Sequence, residues 1–421
     1  MNLLSEKNMS ETTGAIPRNI RDFNRRIVLK AAAEHDVFSA AEIASEVMLS
    51  RQSVMKAVNH FQKQNLIVSL GKGNSTEIGG KKPELYSLRP PQRLITILHR
   101  THAMVFQMTD MTGRCLDTCT VPIDKTLTDE GFIKAIRTGA EKLLTSNAGL
   151  KETLYGVAMA VGGQVDPEHR TMYRSMYFRN LTIGLPVYDI LKEIFSWVPC
   201  IQLDCIGRMA GQAILLNKEL IRNNRQIFTL YIDRGITGCF FVDGKLQTES
   251  TLMMLEVGHM VLDAHDDELC TCGRYGCAES LISLNRMRRS IAQQLSDYPD
   301  SCLNHISPEQ LNFDILFDGS RKGDMLCVKE VRRLAEAMGH LLRNIFLVCG
   351  PGLVVLMGNF SNADQVFDET LKNSIKSSYV YTLQEGKSDI MYDTREVQQI
   401  EALGCAQSVI KAFFDDDRLY V

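Results

Sequence analysis

The chain has 421 residues, 45% of them apolar, so two or three hydrophobic cores are expected rather than one. Its 12 cysteines are too sparse for a small disulfide-stapled secreted fold, and no apolar run approaches the roughly 20 residues that cross a bilayer. The sequence opens without a basic and then apolar leader, and we therefore expect a cytoplasmic protein with no membrane span. The net charge of −3 is uneven, because residues 17–90 contain 12 Lys or Arg against 7 Asp or Glu. This basic segment on an acidic chain is typical of a part that meets a polyanion.

The first 16 residues are polar and unpatterned, which predicts a disordered tail. Three short helices are predicted next, beginning near Asn19, after Ser39 and after Ser50, since serine is a good N-cap. Their inward faces are predicted from apolar residues at helical spacing: Ile20, Phe23, Ile27, Val28 and Ala31, then Ile43, Ala44 and Val47, then Val54, Ala57, Val58 and Phe61.

A β-hairpin is predicted after the third helix. Residues 66–70 and 84–88 have strand character, and the Gly-rich polar residues 71–82 between them are typical of a loop tip. Three helices followed by a hairpin predict a winged helix-turn-helix over residues 17–90.

The third helix and the hairpin carry side chains that could contact DNA. Such side chains reach phosphates and base edges from a helix in the major groove, while a cationic hairpin tip suits the backbone or minor groove. The candidates are Arg51, Gln52, Ser53, Lys56, Asn59, His60 and Lys63 on the helix, with Lys72, Lys81 and Lys82 on the hairpin beside Gly79 and Gly80. The alternative is an ordinary solvated polar face, but the helix order, the basic charge and the hairpin together favour DNA.

Pro90 and Pro91 mark a boundary, because paired prolines continue neither a helix nor a central strand. Residues 91–421 then alternate strands with helices, and a similar order occurs twice, before and after about residue 226. The pattern predicts two α/β lobes that face each other across a cleft, the usual place for a ligand in such folds.

Residues 256–279 hold a cluster of potential metal ligands. His259, Cys270, Cys272 and Cys277 suit a tetrahedral Zn²⁺, and Gly273 and Gly276 would let the backbone fold tightly between them. Four protein ligands leave no open coordination position, so the metal would be structural. His265 is a possible substitute ligand, and the alternative is a set of reduced core cysteines with an incidental histidine.

Two further constellations lie at predicted strand ends. Residues 162–167 form a glycine turn that is followed by Asn180, and Asp204 precedes a helix rich in small residues. A carboxylate at such a position can accept a hydrogen bond from a ligand hydroxyl or serve as a general base. Asp204 could equally be a simple helix N-cap.

These motifs together resemble the ROK family of repressors, open reading frames and sugar kinases, over nearly the whole chain from about Asn19. The resemblance is carried by Glu256-Val257-Gly258-His259 with the three cysteines, by Asp204, and by Gly163-Gln164-Val165-Asp166-Pro167 before Asn180. It implies an actin-like, ribonuclease-H-type α/β body. The N-terminal part resembles the DNA-binding head of that family's xylose and N-acetylglucosamine repressors. By the same resemblance, sugar hydroxyls would be met by Asn180, Asp204, Glu256, His259 and Glu279.

The chain departs from the kinases of that family at the phosphate positions. Their Asp-x-Gly-Gly-Thr loop is replaced by Leu98-His99-Arg100-Thr101-His102, which lacks the metal-supporting carboxylate and the glycines. A second phosphate turn contains Asp233, and Leu203 stands where an Asn is usual. We therefore expect that ATP binding is lost and that the chain is not an enzyme.

The sequence and the resemblance thus predict a sugar-responsive transcriptional regulator that acts as a repressor. Its cofactor would be Zn²⁺, and it would bind operator DNA as a homodimer or homotetramer. Two alternatives stay open: an ATP-dependent sugar kinase with Asp204 as base, and a regulator that responds to a protein partner or to zinc.

Overall fold

The computed structural model describes residues 17–33, 35–73, 82–88, 93–247, 255–376 and 389–421. They form two compact units, one made of Arg93–Val409 and the other of the described residues before Arg93 together with Ile410–Val421. The expected tail over residues 1–16 and the expected boundary at Pro90 and Pro91 lie outside the described residues. Within the described part, no helix is long and apolar enough to cross a membrane.

The N-terminal unit contains three helices and a small antiparallel sheet in the order β1-β3-β2. Its elements are α1 (Pro17–Ala32), β1 (Phe38–Ser39), α2 (Ala40–Glu46), α3 (Arg51–Lys63), β2 (Ile67–Lys72) and β3 (Glu84–Leu88). Ser39 and Ser50 are the N-caps of α2 and α3, as their positions predict. Ser39 also forms a capping box with Glu42, in which each side chain bonds the other residue's backbone N–H.

The core of this unit follows the predicted apolar spacing in α2 and α3 but not throughout α1. Val54, Val58 and Phe61 of α3 are fully buried. In α1, however, the prediction that Ile20 and Phe23 face inward is wrong, since they are 50% and 61% exposed. The buried stripe of α1 lies in its last two turns, where the other helices cover it.

Residues 410–421 complete this core. The sequence pattern does not predict that the C-terminal residues pack there. Tyr420 is 1% exposed, and its ring lies 6.3 Å from that of Phe61 in an edge-to-face arrangement. The Arg26 guanidinium lies 4.4 Å from the centre of the Tyr420 ring, and Arg25 donates to the Tyr420 carbonyl at 2.7 Å. The Tyr420 hydroxyl donates to the Phe414 carbonyl at 2.7 Å, so the buried polar atom is satisfied.

The first lobe of the larger unit has a five-stranded sheet in the order β10-β7-β4-β5-β6. Its strands are β4 (Arg93–His99), β5 (Ala103–Thr109), β6 (Cys115–Pro122), β7 (Leu154–Val161) and β10 (Cys200–Cys205), and β8 (Gly163–Asp166) pairs with β9 (Thr171–Ser175) separately. Its helices are α4 (Asp129–Ser146), α5 (Leu150–Thr153), α6 (Val187–Ile194), α7 (Ile206–Gln212) and α8 (Lys218–Asn223).

The second lobe has a five-stranded sheet in the order β13-β12-β11-β14-β15. Its strands are β11 (Gln226–Ile232), β12 (Ile236–Val242), β13 (Lys245–Leu246), β14 (Leu353–Gly358) and β15 (Asp389–Tyr392). Its helices are α9 (Ala278–Ile282), α10 (Leu284–Gln294), α11 (Phe313–Arg321), α12 (Met325–Cys349) and α13 (Gln365–Lys376), and α14 (Val397–Asp415) follows.

Both sheets have the same design, in which an antiparallel meander of three strands is extended by two parallel strands. In the first lobe β4 pairs parallel with β7, and in the second β11 pairs parallel with β14. Each lobe has its own hydrophobic cluster, centred on residues such as Phe106 and Phe132 in the first and Phe317 and Phe360 in the second. The turns after β4 and β11 are therefore equivalent positions, and both are among the predicted phosphate positions.

Tyr420→Ala is expected to destabilise the N-terminal unit by about 3 to 5 kcal/mol, because it removes a buried aromatic ring. Hydrogen exchange of α3 amides, followed by mass spectrometry on the full-length chain, measures the change. Asp417→Ala is the matched control, since its ion pair with Arg26 is 88% exposed on the Asp417 side and is worth about 1 kcal/mol at most. Equal protection of α3 in both variants would contradict the role given to Tyr420.

Candidate functional site

The four predicted metal ligands come together in residues 256–279, a segment that ends in the first turn of α9 and that we call the cysteine loop. The ligand atoms of His259, Cys270, Cys272 and Cys277 all lie within 4.8 Å of one another. His259 ends a 3₁₀ turn that begins at Val257, and Cys277 caps the first turn of α9. His265, the possible substitute, is exposed and is not a member of this cluster.

Two glycines allow the loop to close on itself. Gly276 has φ +69°, and a Cβ atom there would lie 1.6 Å from the Asp263 carbonyl oxygen, so only glycine fits. Gly273, with φ +86°, donates to the Cys270 carbonyl at 2.9 Å, and the Cys270 N–H donates to the Arg274 carbonyl at 2.8 Å. This tight turn brings Cys272 back toward Cys277.

The donor set fits a tetrahedral zinc ion. Two thiolate ligands of one zinc ion lie about 3.7 Å apart, and a thiolate and an imidazole nitrogen about 3.6 Å apart, given Zn–S and Zn–N bonds of roughly 2.3 and 2.0 Å. The Cys272 and Cys277 sulfurs are 3.6 Å apart, and the Cys270 sulfur is 3.5 Å from His259 Nδ1. His259 Nδ1 thus faces the cluster, which leaves Nε2 for another partner.

Asp204 is held by an ion pair, which the sequence did not predict. Arg208, one turn further along in α7, donates from Nε to Asp204 Oδ1 at 2.7 Å, and both side chains are largely buried. The N-cap of α7 is Cys205, so the alternative that Asp204 is the N-cap is wrong. The carboxylate on which the kinase alternative depends is therefore already engaged by the Arg208 guanidinium.

The two glutamates of the loop have different surroundings. Burial raises the pKa of Glu256, against the opposing attraction of Arg208 and His259. Glu279 accepts from the Ile236 N–H and from the Thr271 hydroxyl, each at 3.1 Å, so it ties the cysteine loop to the turn between β11 and β12. Glu279 thus connects the two segments, whereas Glu256 is partly buried near Arg208 and His259.

Asn180, the remaining predicted ligand residue, lies in an exposed loop of the first lobe. Its side-chain amide donates to the Thr126 carbonyl at 3.4 Å. The described contacts place it beside the start of α4 and not against the cysteine loop.

The turn after β4 is occupied by a buried ion pair that includes Arg100. Arg100 donates to Glu401 of α14, and the Tyr231 hydroxyl of β11 donates to the same Glu401 oxygen at 2.5 Å. The Glu401 side chain is fully buried. Burial raises its pKa to about 7, which outweighs the opposing effects of Arg100 and Tyr231 and is assisted by Asp233. One carboxyl therefore joins β4, β11 and α14.

Arg234 adds a second contact between the two turns. It donates to the Thr101 hydroxyl at 3.2 Å, and its guanidinium lies 5.5 Å from the centre of the Tyr177 ring. Asn359, after β14, donates to Asp233 at 3.2 Å. Side chains of the chain itself thus meet where the resemblance had placed phosphate groups.

The predicted DNA-contacting face of α3 borders a groove of about 560 Å³ within the N-terminal unit. The groove is lined by Ser53, Lys56, Asn59, His60 and Lys63 of α3 and by Ile20, Arg21, Asn24 and Arg25 of α1. The sequence pattern of α1 indicates only its apolar stripe, so it does not predict that Arg21, Asn24 and Arg25 border this groove.

The predicted DNA contacts are not all equally accessible. Arg51, Gln52, Lys72 and Lys82 are exposed, whereas Lys81 lies outside the described residues. The His60 ring bonds the Leu419 carbonyl at 3.0 Å, and burial lowers the pKa of His60. His60 therefore holds residues 410–421 in place and presents no cationic group at neutral pH.

His259→Ala and Cys277→Ser are each expected to lower the zinc content by about one ion per chain, because three ligands bind far more weakly than four. Metal analysis of the purified protein after dialysis measures the change. His265→Ala, a neighbouring histidine outside the cluster, should leave the zinc content unchanged. Loss of zinc in that control would show that His265, and not His259, is the histidine ligand.

Glu401→Gln is expected to remove a pH dependence of stability. Between the ordinary pKa of 4.5 and about 7, folded Glu401 keeps a proton that the unfolded chain has released. The free energy of unfolding should therefore fall by on the order of 3 kcal/mol as pH rises through this window and stay level above it. Denaturant unfolding at pH 5 and 8 measures the slope, with exposed Glu396→Gln as the control that keeps it. An unchanged slope in Glu401→Gln would contradict the assignment.

Comparison with known proteins agrees with the resemblance inferred from the motifs. The family model described as "ROK family" matches residues 100–411. The xylose repressor of Caldicellulosiruptor bescii is 20% identical over 399 residues, covering 93% of this chain and 96% of the repressor. The glucokinase of Thermotoga maritima is 24% identical over 277 residues, covering 64% and 84% of the two chains.

A crystal structure of a ROK family transcriptional regulator, described as a homolog of the E. coli MLC protein, has a similar fold. It superposes with a TM-score of 0.78 at 14% identity and covers 95% of this chain and 99% of that one. The predicted mixed α/β class is thereby confirmed. With its family model matched over most of its length, the chain belongs to the ROK family.

Proposed function

We propose that this chain is a sugar-responsive transcriptional repressor, which binds operator DNA through a winged helix-turn-helix at residues 17–90 and a sugar or sugar derivative in its larger unit. The observation that carries the proposal is a combination: a cationic helical face in one unit, joined to a kinase-like unit whose phosphate positions hold an ion pair.

The DNA-binding part of the proposal is supported by charge and exposure on α3 and α1. Arg51, Lys56 and Lys63 of α3 are exposed, and Arg21 of α1 borders the same groove. Clustered Arg and Lys side chains supply most of the affinity for the phosphate backbone. Two copies in a homodimer or homotetramer would present two such helices to the half-sites of a palindromic operator.

The absence of kinase activity in the proposal is supported by three side chains. Glu401 and Asp233 carry carboxyl groups where a nucleotide would bring further negative charge. Asp204, the base that the kinase alternative requires, is paired with Arg208. Because the contact between Arg100, Glu401 and Tyr231 already fills the turn after β4, ATP is expected to be excluded from the phosphate positions.

The sugar-binding part of the proposal rests on the polar residues of the cysteine loop. Glu256, Glu279 and His259 would accept or donate hydrogen bonds to hydroxyl groups, and Asp204 and Asn180 of the first lobe are the further ligand residues that we propose. If zinc is bound through His259 Nδ1, the metal would fix the orientation of the imidazole ring, and Nε2 would be available to a ligand hydroxyl. A structural zinc ion would thereby orient a ligand-binding residue.

The names of the relatives agree with this assignment, since a xylose repressor is similar to this chain along almost its full length. Similarity to a glucokinase is confined to about two thirds of the chain, which is consistent with a shared larger unit.

Lys56→Ala is expected to weaken binding to the DNA upstream of the gene and to lower the slope of log Kd against log salt by about one per protomer, because one phosphate contact is lost. Fluorescence anisotropy at several salt concentrations measures both quantities. Lys134→Ala, an exposed lysine of α4 in the larger unit, should bind DNA like the unchanged chain. Binding that is absent or insensitive to salt in the unchanged chain would refute DNA recognition.

A panel of neutral sugars and amino sugars is added in the same assay. Coupling of about 1 to 3 kcal/mol between the two ligands would change DNA affinity roughly 5- to 150-fold. DNA binding that responds to zinc alone would favour the metal-responsive alternative. Phosphorylation of any sugar by ATP, abolished in Asp204→Asn, would instead establish the kinase.

A further inference from the structure

A second cluster of potential metal ligands, two thiols and one carboxylate, lies at the start of α12. The ligand atoms of Cys302, Asp324 and Cys327 lie within 4.8 Å of one another. Cys302 begins a 3₁₀ turn, whereas Asp324 caps α12 and Cys327 belongs to its first turn. We propose that these three residues form a second binding site for a thiophilic divalent cation such as Zn²⁺ or Cd²⁺.

The carboxylate of this site is held in place before any ion arrives. Asp324 accepts from the Cys302 N–H at 2.7 Å and from the Cys327 N–H at 3.0 Å, one on each oxygen. The Ser301 hydroxyl donates to it at 3.1 Å. Oδ1 thus accepts two bonds and Oδ2 one, so Oδ2 keeps a lone pair for a cation. The backbone that fixes Asp324 also carries both thiols, which positions the three donors together.

A glycine of α11 makes room for both sulfurs. A Cβ atom at Gly319 would lie 2.4 Å from the Cys327 sulfur and 3.3 Å from the Cys302 sulfur. Both thiols therefore pack against the bare backbone of Gly319. Three segments meet there: α11, the 3₁₀ turn of Cys302 and the start of α12. Tetrahedral zinc ligands lie about 3.3 to 3.8 Å apart, so small side-chain rotations bring the three donors into range.

The surroundings favour an ion that binds thiolates and exchanges with solvent. Cys302 is exposed and gives access, whereas Cys327 is buried. Two thiolates select zinc or cadmium over hard cations such as Mg²⁺. Three protein ligands leave a fourth position for water, so this site would bind more weakly than the His259 cluster and would be exchangeable.

The site does not depend on the proposed repressor function, because none of its residues belongs to the cleft or to the N-terminal unit. Its test is therefore separate. Reduced full-length protein is freed of metal with a chelator and titrated with Cd²⁺ alone, and bound ions are counted by native mass spectrometry. The cadmium–thiolate absorption band reports the number of sulfur ligands.

The unchanged chain is expected to bind two Cd²⁺ ions, the second more weakly, and Cys302→Ser is expected to bind one. Asp324→Asn keeps an N-cap for α12 and should weaken the second ion by about tenfold or more, since the loss of even an outer partner of a metal ligand costs that much. Cys349→Ser removes a partly buried thiol at the other end of α12 and should bind two ions.

One ion per unchanged chain would overturn the proposal. So would two ions in Cys302→Ser, or loss of the second ion in Cys349→Ser, because either would show that binding does not require this cluster. If the reduced protein binds no second ion, and two thiols are lost to titration only after the metal-free protein is oxidised by dissolved oxygen, the cluster is a disulfide pair in place of a metal site.

Discussion

The buried contact between Arg100, Glu401 and Tyr231 is the interaction on which the arrangement of the larger unit most depends. It joins the end of β4 in the first lobe to β11 in the second and to α14. Removing one partner of such a pair leaves an uncompensated charge and typically costs about 3 to 5 kcal/mol. The contact lies in the turn where the resemblance to the family's kinases places a phosphate loop. The same side chains thus join the two lobes and fill that turn.

The cysteine loop and this ion pair are connected through the turn between β11 and β12. Glu279 of the loop accepts from the Ile236 N–H, and Asp233 and Arg234 of the same turn contact Asn359 and Thr101. A ligand that displaces Glu279 would therefore act on a turn that already bridges the lobes. Only two residue contacts would then separate such a ligand from the interface between the lobes, so coupling between them would not require a long series of residues.

Much of the fold could be predicted because it depends on local patterns. Serine caps predicted α2 and α3, alternating strands and helices predicted two α/β lobes, and cysteine spacing with glycines predicted the ligand cluster. Contacts between distant residues could not be predicted. Arg208 is only four residues from Asp204, yet no pattern shows that it points back, and Glu401 lies on a helix far from Arg100 in sequence. The prediction of the inward face of α1 was wrong for the same reason, because the exposure of Phe23 depends on which other elements pack against it.

The position of Tyr420 has a consequence for the order in which the molecule is made. The core of the N-terminal unit contains a residue that is synthesised nearly 400 positions after α1. Domains usually fold in order as they leave the ribosome, but this unit lacks one of its buried aromatic rings until translation has passed the whole larger unit. A nascent chain would therefore carry an incomplete N-terminal unit, whose core can close only after residue 420 has been synthesised.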